Sequence, residues 1–403
     1  MLESVISQGL NIMAARIEVS EKIWSWAIRR SQQPKAELLK NIPQLASWIK
    51  GETRPTIRQL ENFAKKTYTP FGYLFLNEPP EEDLALPDYR TVDGKRARTS
   101  PHLIDTVHEM QRRQEWMRDE MIYEGQDPLG YIGSVALSQS PKAVADDIRS
   151  VLQLDFDWAS RYRTWENAFV ELRQASERAG VLVFLASVVG ANTKRPLDPQ
   201  EFRGFVLVDE YAPVVFVNSR DAKSAQMFTL AHELAHLWIG KSSLFNLKKL
   251  QPHSDAVETF CNAVAAEFLV PADRFRVEWK ACTSSDKIQA MSKHFRVSPL
   301  VIARRALDLE LMSLKAFYSF YRKDQSKWLA RRANQRKNKN GSAKMVHAIQ
   351  DLRLGHRFGW AVVCAAREGR LLYRDAYQLT GLRGASFSKY CDRLNERFWN
   401  EHP

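Results

Sequence analysis

The segment Phe228–Gly240, FTLAHELAHLWIG, constrains this chain more than any other. Its two histidines, His232 and His236, stand four residues apart, and on an α-helix positions i and i+4 share one face. Neutral imidazoles placed in this way bind a single zinc ion at ~2.0–2.1 Å. Glu233 follows the first histidine and is turned by about 100° around the helix. From there it polarises a zinc-bound water instead of binding the metal. The spacing predicts a helix over Arg220–Ile239, with Asn218 or Ser219 suited to cap its start and Gly240 just beyond its end.

A catalytic zinc site needs a third protein ligand and one open position. Glu258, 22 residues after His236, is the preferred ligand. It stands on a second expected helix that Ser254 or Asp255 starts and Pro271 closes. Asn262 lies one turn later on the same face, where an amide can support a ligand from behind. Glu267 is the rival, but nine residues from Glu258 places it about 180° away around the helix, so both cannot face one metal. His253, beside Pro252 on an expected loop, is a weaker third choice.

Upstream, Pro141–Leu152 and Trp165–Ala179 read as amphipathic helices, and the β-branched run Val181–Val189 as a buried strand. Phe205–Val208 and Val214–Val217 are short β-rich runs joined by Asp209–Pro213. They form an expected hairpin able to offer an edge strand to a peptide.

FTLAHELAHLWIG followed by VETFCNAVAAEFLVP resembles the ImmA/IrrE family of metallopeptidases, whose signature joins a histidine pair to an E-x-x-A-N-x-F-A-A-type helix ending in Pro. Cys261 replaces the usual Ala and Val264 the usual Phe, while the metal positions are intact. The resemblance implies a zinc endopeptidase with one Zn2+ per chain, held by His232, His236 and Glu258, with Glu233 as the catalytic residue. It further implies a regulator that cleaves a repressor, or an antitoxin paired with a toxin. From the residues alone the expected chemistry is metal-assisted peptide hydrolysis, with Glu233 taking the water proton and the leaving amine receiving it.

The N-terminal text LASWIKGETRPTIRQLENFAKKTYTPFGYLFL resembles the helix-turn-helix of the XRE class, although the stretch between Pro34 and Gln44 is short and no Gly marks the turn. Four short helices are expected there, the third over Gln44–Lys50 closed by Gly51, and the fourth from Thr56 to Thr67. Further on, Lys287–Leu309 reads as helix, turn and helix, with Ser298 as N-cap and Pro299 at the first helical position. The expected fold class is α+β and predominantly helical: a minimal zincin-like peptidase domain with a small β-sheet, flanked by helical helix-turn-helix-like domains.

The expected organisation is a degenerate XRE-like module over 1–80, a helical connector over 81–135 and the peptidase domain over 136–280. A helix-turn-helix-like unit over 281–320, a basic linker over 321–344 and a helical subdomain over 345–403 complete it. In the last of these Arg357, Phe358, Asp375 and Ala376 resemble the tail of long family members, which implies a docking surface for a partner or for self-association, with a capping helical subdomain as the alternative.

Charge refines the list of partners. Of the net +12, the segment Tyr321–Lys344 supplies +8, with nine basic residues against Asp324. It reads as a helix end running into a solvated linker, with a phosphate-contacting strip as its competitor. The four cysteines form no CxxC pair, so neither a disulfide framework nor a thiolate zinc knuckle is indicated. No apolar run reaches the ~20 residues of a membrane helix, and the N-terminal text lacks a signal-peptide pattern. The expectation is a cytoplasmic protein acting on a protein substrate or cognate partner, a repressor or a toxin, with DNA and a second copy of the chain as further partners and no membrane. The competing function is an antitoxin or transcriptional regulator that binds DNA and a partner protein, its zinc only structural.

Overall fold

A computed structural model of the chain describes residues 16–82, 99–245, 255–335 and 343–401. They fall into two compact units, the first taking in residues 16–82 and 99–105 and the second the described residues from 106 onward.

In the first unit, α1 (Glu21–Arg30), α2 (Lys35–Asn41), α3 (Leu45–Ile49) and α4 (Ile57–Thr67) close around Trp24, Leu38, Leu45, Trp48, Leu60 and Phe63. Trp24 stacks on Trp48 and meets Phe63 edge-on, arrangements that suit the ring quadrupole. Thr56 caps α4 through a capping box with Gln59. Lys50, not Gly51, is the C-cap of α3, and Gly51 follows at φ +73°. The buried Arg30 guanidinium is held by both carboxylate oxygens of Glu82, at 2.8 and 2.9 Å, and by Asp105.

The second unit begins within α5 (Pro101–Tyr123), continues with α6 (Pro141–Val151) and α7 (Trp165–Arg178), and enters a sheet. Strands β1 (Leu182–Ala186), β2 (Gly204–Leu207), β3 (Val214–Asn218) and β4 (Ser243–Phe245) lie in the order β1-β3-β2-β4. β1 runs parallel to β3, and the two remaining pairings are antiparallel. α8 (Lys223–Ile239) follows β3 and packs against β2, β3 and β4, and also against α9 (Ala256–Leu269). The sheet is apolar on both faces, as successive side chains point to opposite sides. Val183, Leu185, Val206, Val215 and Val217 join the core with Leu230, Leu234, Val264 and Phe268. On the other face Phe205 stacks on Phe216 at 4.9 Å.

After α10 (Ala272–Ala281) come α11 (Lys287–Phe295) and α12 (Pro299–Asp308), the latter capped by Ser298 with Pro299 at its first position. Phe295, Val301, Ile302 and Ala306 of this pair belong to the same core as the sheet. The basic segment starts inside α13 (Leu314–Gln335); residues 336–342 lie outside the described ones. α14 (Ala343–Leu354), α15 (His356–Arg367), α16 (Tyr373–Thr380) and α17 (Ala385–Glu401) complete the chain. Phe358 of α15 meets Phe184 edge-on, and the buried Arg113 of α5 donates to the carbonyls of Arg353 and Leu379. The result is a predominantly helical α+β protein. Among the described residues no helix is long and apolar enough to cross a membrane.

Candidate metal centre

Two helix ends and one cap bring the site together. α8 starts three residues later than its apolar pattern suggests, with Ala222 as N-cap and no side-chain cap. Asn218 and Asp221 instead fold the entry, accepting the backbone N–H of Arg220 and Ala222, while the Gln226 amide donates to the Ser219 and Asp221 carbonyls. At the other end the last carbonyls of a helix need external donors. Gly133 and Val135 supply them, their N–H groups reaching Leu237 and Trp238 oxygens at 2.9 Å. Trp238 is fixed in turn by Asp147 at 2.7 Å and by stacking on Tyr131 at 4.4 Å. α9 begins at Asp255, whose carboxylate accepts the N–H groups of Val257 and Glu258. That cap sets the first turn of α9 and so aims Glu258; Ser254, the other expected start, lies outside the described residues.

Between these helices His232 Nε2 and His236 Nε2 lie 3.1 Å apart. Glu258 Oε2 is 3.3 Å from the first ring nitrogen, and Oε1 is 3.4 Å from the second. All three side chains are buried. A tetrahedral ion with bonds of ~2.0–2.1 Å separates its ligand atoms by roughly 3.3–3.4 Å. The His–His distance and that from each ring to its nearest carboxylate oxygen, a different one for each ring, are of about that size. One atom from each of the three side chains lies within 4.8 Å of the others, and two imidazoles with one carboxylate are a donor set of catalytic zinc sites. The residues therefore fit a zinc ion. These three are also the one group of such side chains, among the described residues, close enough to share a metal.

Glu233 points elsewhere, as its rotation requires. Its Oε2 accepts from Ser243 Oγ at 3.3 Å, and its Oε1 lies where a Cβ on Gly204 would come within 3.3 Å. The carboxylate thus rests between β2 and β4. Ser243 and Gly204 had no place in the motif, because their role is set by strand pairing; the β-prone SSLF after Gly240 was the available signal.

The rivals separate cleanly. Glu267 forms a buried ion pair with Arg305 of α12 and accepts the Ala272 N–H at 3.0 Å. It takes no part in the histidine cluster. Asn262 is half-buried one turn after Glu258. His253 lies outside the described residues. The hairpin differs from expectation: β2 offers no open edge, since β3 and β4 flank it.

A small mixed sheet, a helix carrying two ring donors and a second helix carrying one carboxylate define a zinc-metallopeptidase-like domain. In agreement, residues 176–307 match the model of the IrrE N-terminal-like domain, a peptidase family. Residues 354–393 match a second model, described as a domain of unknown function, DUF8813. No curated protein matches the chain.

Proposed function

We propose that this chain is a zinc-dependent endopeptidase of narrow specificity that acts on a regulatory protein, a repressor or a toxin–antitoxin partner. The observation that carries the reading is the convergence of His232, His236 and Glu258 with a carboxylate, Glu233, held one position away from the first ligand. A zinc ion bound there supplies Lewis-acid polarisation of the scissile carbonyl. Glu233 takes a proton from the attacking water and delivers it to the leaving amine, the work of a positioned general base that becomes a general acid. Ser243 donates to one oxygen of that carboxylate, and the absence of a side chain at Gly204 leaves room beside the other. The match of residues 176–307 to a peptidase family supports the same reading.

The second reading is a regulator in which zinc only ties α8 to α9. The closure of the centre favours it, since His232, Glu233, His236 and Glu258 are each 0–1% exposed. Glu233 argues against it, because a structural site has no use for a second carboxylate directly beside its first ligand. DNA as a partner rests on the first unit and on the basic segment Tyr321–Lys344. In α12 the two arginines are already committed, Arg304 to Asp308 and Arg305 to Glu267. Co-expression with the product of the adjacent reading frame tests the enzyme directly. Glu233→Gln is expected to retain zinc and abolish cleavage, whereas full cleavage by that variant removes the enzymatic reading.

A further inference from the structure

A peptide bond must approach to within ~3–3.5 Å of the attacking group to react, yet none of the four side chains at the centre is more than 1% exposed. An element next to Glu233 has to move before a substrate can arrive. α8 and α9 cannot be that element, because they carry the ligands and are built into the main core. β3 is paired on both sides, to β1 and to β2, and β2 follows the same pattern between β3 and β4.

β4 is different. It has three residues, stands at the end of the sheet order, and pairs with β2 through Gly204↔Phe245, Phe205↔Leu244 and Val206↔Ser243. Its hold on the site is local: Ser243 Oγ donates to Glu233, the buried Leu244 packs inward, and the neighbouring Ser242 Oγ accepts the Val208 N–H at 2.9 Å. Short edge strands open at far lower cost than the core they border. The edge of β2 beside Glu233 is also where an extended peptide would add to this sheet.

We propose that β4 is a self-blocking strand: it occupies the edge of β2 beside Glu233 and must leave that edge before anything reaches the metal centre. This rests on the peptidase reading for its purpose but not for its test. With β4 displaced, the open edge accepts an extended segment of a protein, so the substrate class is a chain region free of fixed helix.

Metal exchange reads the gate without any substrate. Phe205→Cys combined with Leu244→Cys places two thiols directly opposite each other, one on each strand. The full chain is loaded with zinc, and loss of zinc to excess EDTA is timed in the oxidised and reduced forms. Wild type with and without reductant controls for the four native cysteines. The cross-linked form is expected to release zinc at least about tenfold more slowly than the reduced form, as expected when local opening controls access. Leu244→Asp, which unseats the strand without any cross-link, is expected to release it about tenfold faster than wild type. Equal rates in the oxidised and reduced forms, or an unchanged rate in Leu244→Asp, overturn the proposal. Loss of the peptidase reading shows elsewhere, in unimpaired cleavage by Glu233→Gln.

Discussion

Glu177 Oε1 accepts the backbone N–H of His356 at 2.9 Å, so a carboxyl from the last turn of α7 closes the first turn of α15. Gly355 makes this approach feasible. It adopts φ +65°, and a Cβ there would meet Glu177 Oε1 at 2.9 Å and the Val183 carbonyl at 3.1 Å. The segment matching DUF8813 thus starts against β1 of the zinc-metallopeptidase-like domain.

Burial raises the Glu177 carboxyl above its ordinary range, although Arg173 and the His356 N–H pull the other way. A group whose pKa is raised by folding contributes stability that is present below the unfolded value and lost as pH rises through the folded one. Glu177→Gln keeps an acceptor for His356 and has no charge to desolvate. Its stability relative to wild type should therefore improve as the pH is raised from about 5 to about 8. Glu177→Ala should lose roughly 1–3 kcal/mol at both, since it leaves a partly buried donor without its acceptor. Urea unfolding at the two pH values checks this, and a Gln variant that loses ground as pH rises contradicts it.

Glu258 and Glu267 stand on one helix and should answer mutation in opposite ways. Glu267→Ala removes the partner of the buried Arg305. Breaking a buried ion pair costs about 3–5 kcal/mol; zinc stoichiometry should stay at one per chain. Glu258→Ala should lose the metal while the zinc-free protein keeps its helical content. Metal analysis beside a denaturation curve separates the two, and a zinc-free Glu267→Ala that remains folded would assign the ligand wrongly.

These contrasts also mark how far local pattern reaches. His232, His236 and Glu258 were legible because i, i+4 spacing and an N-capped helix are written in consecutive residues. The helices around them, α6, α7, α11 and α12, were read within a residue or two for the same reason. Opaque features depend on partners far along the chain. The hairpin was recognised, but its burial was not, since β4 comes from beyond α8 and only tertiary structure says which edge it takes. Arg113 gave no sign of its bonds to Arg353 and Leu379, which lie 240 and 266 residues away. Asn218 was read as a cap, but the extra turn it forms with Asp221 shifts the start of α8.

Gly204 tests the setting of the Glu233 carboxylate. A Cβ at this position would meet Thr229 Cγ2 at 2.6 Å and the Phe216 carbonyl at 2.8 Å before reaching Glu233. The Phe216 oxygen is backbone of the paired strand, so it cannot turn aside as a side-chain end does. Gly204→Ala must push β2 away from β3 or from α8, and overpacking of this kind costs about 1–3 kcal/mol. Zinc should stay bound, because none of the three ligands touches Gly204 in the close contacts found there. Cleavage should fall more than stability does, as a displacement of about 1 Å in a reacting group can cost 10²-fold in rate. A Gly204→Ala protein with full activity and an unchanged unfolding midpoint would show that β2 leaves more space beside Glu233 than this packing allows.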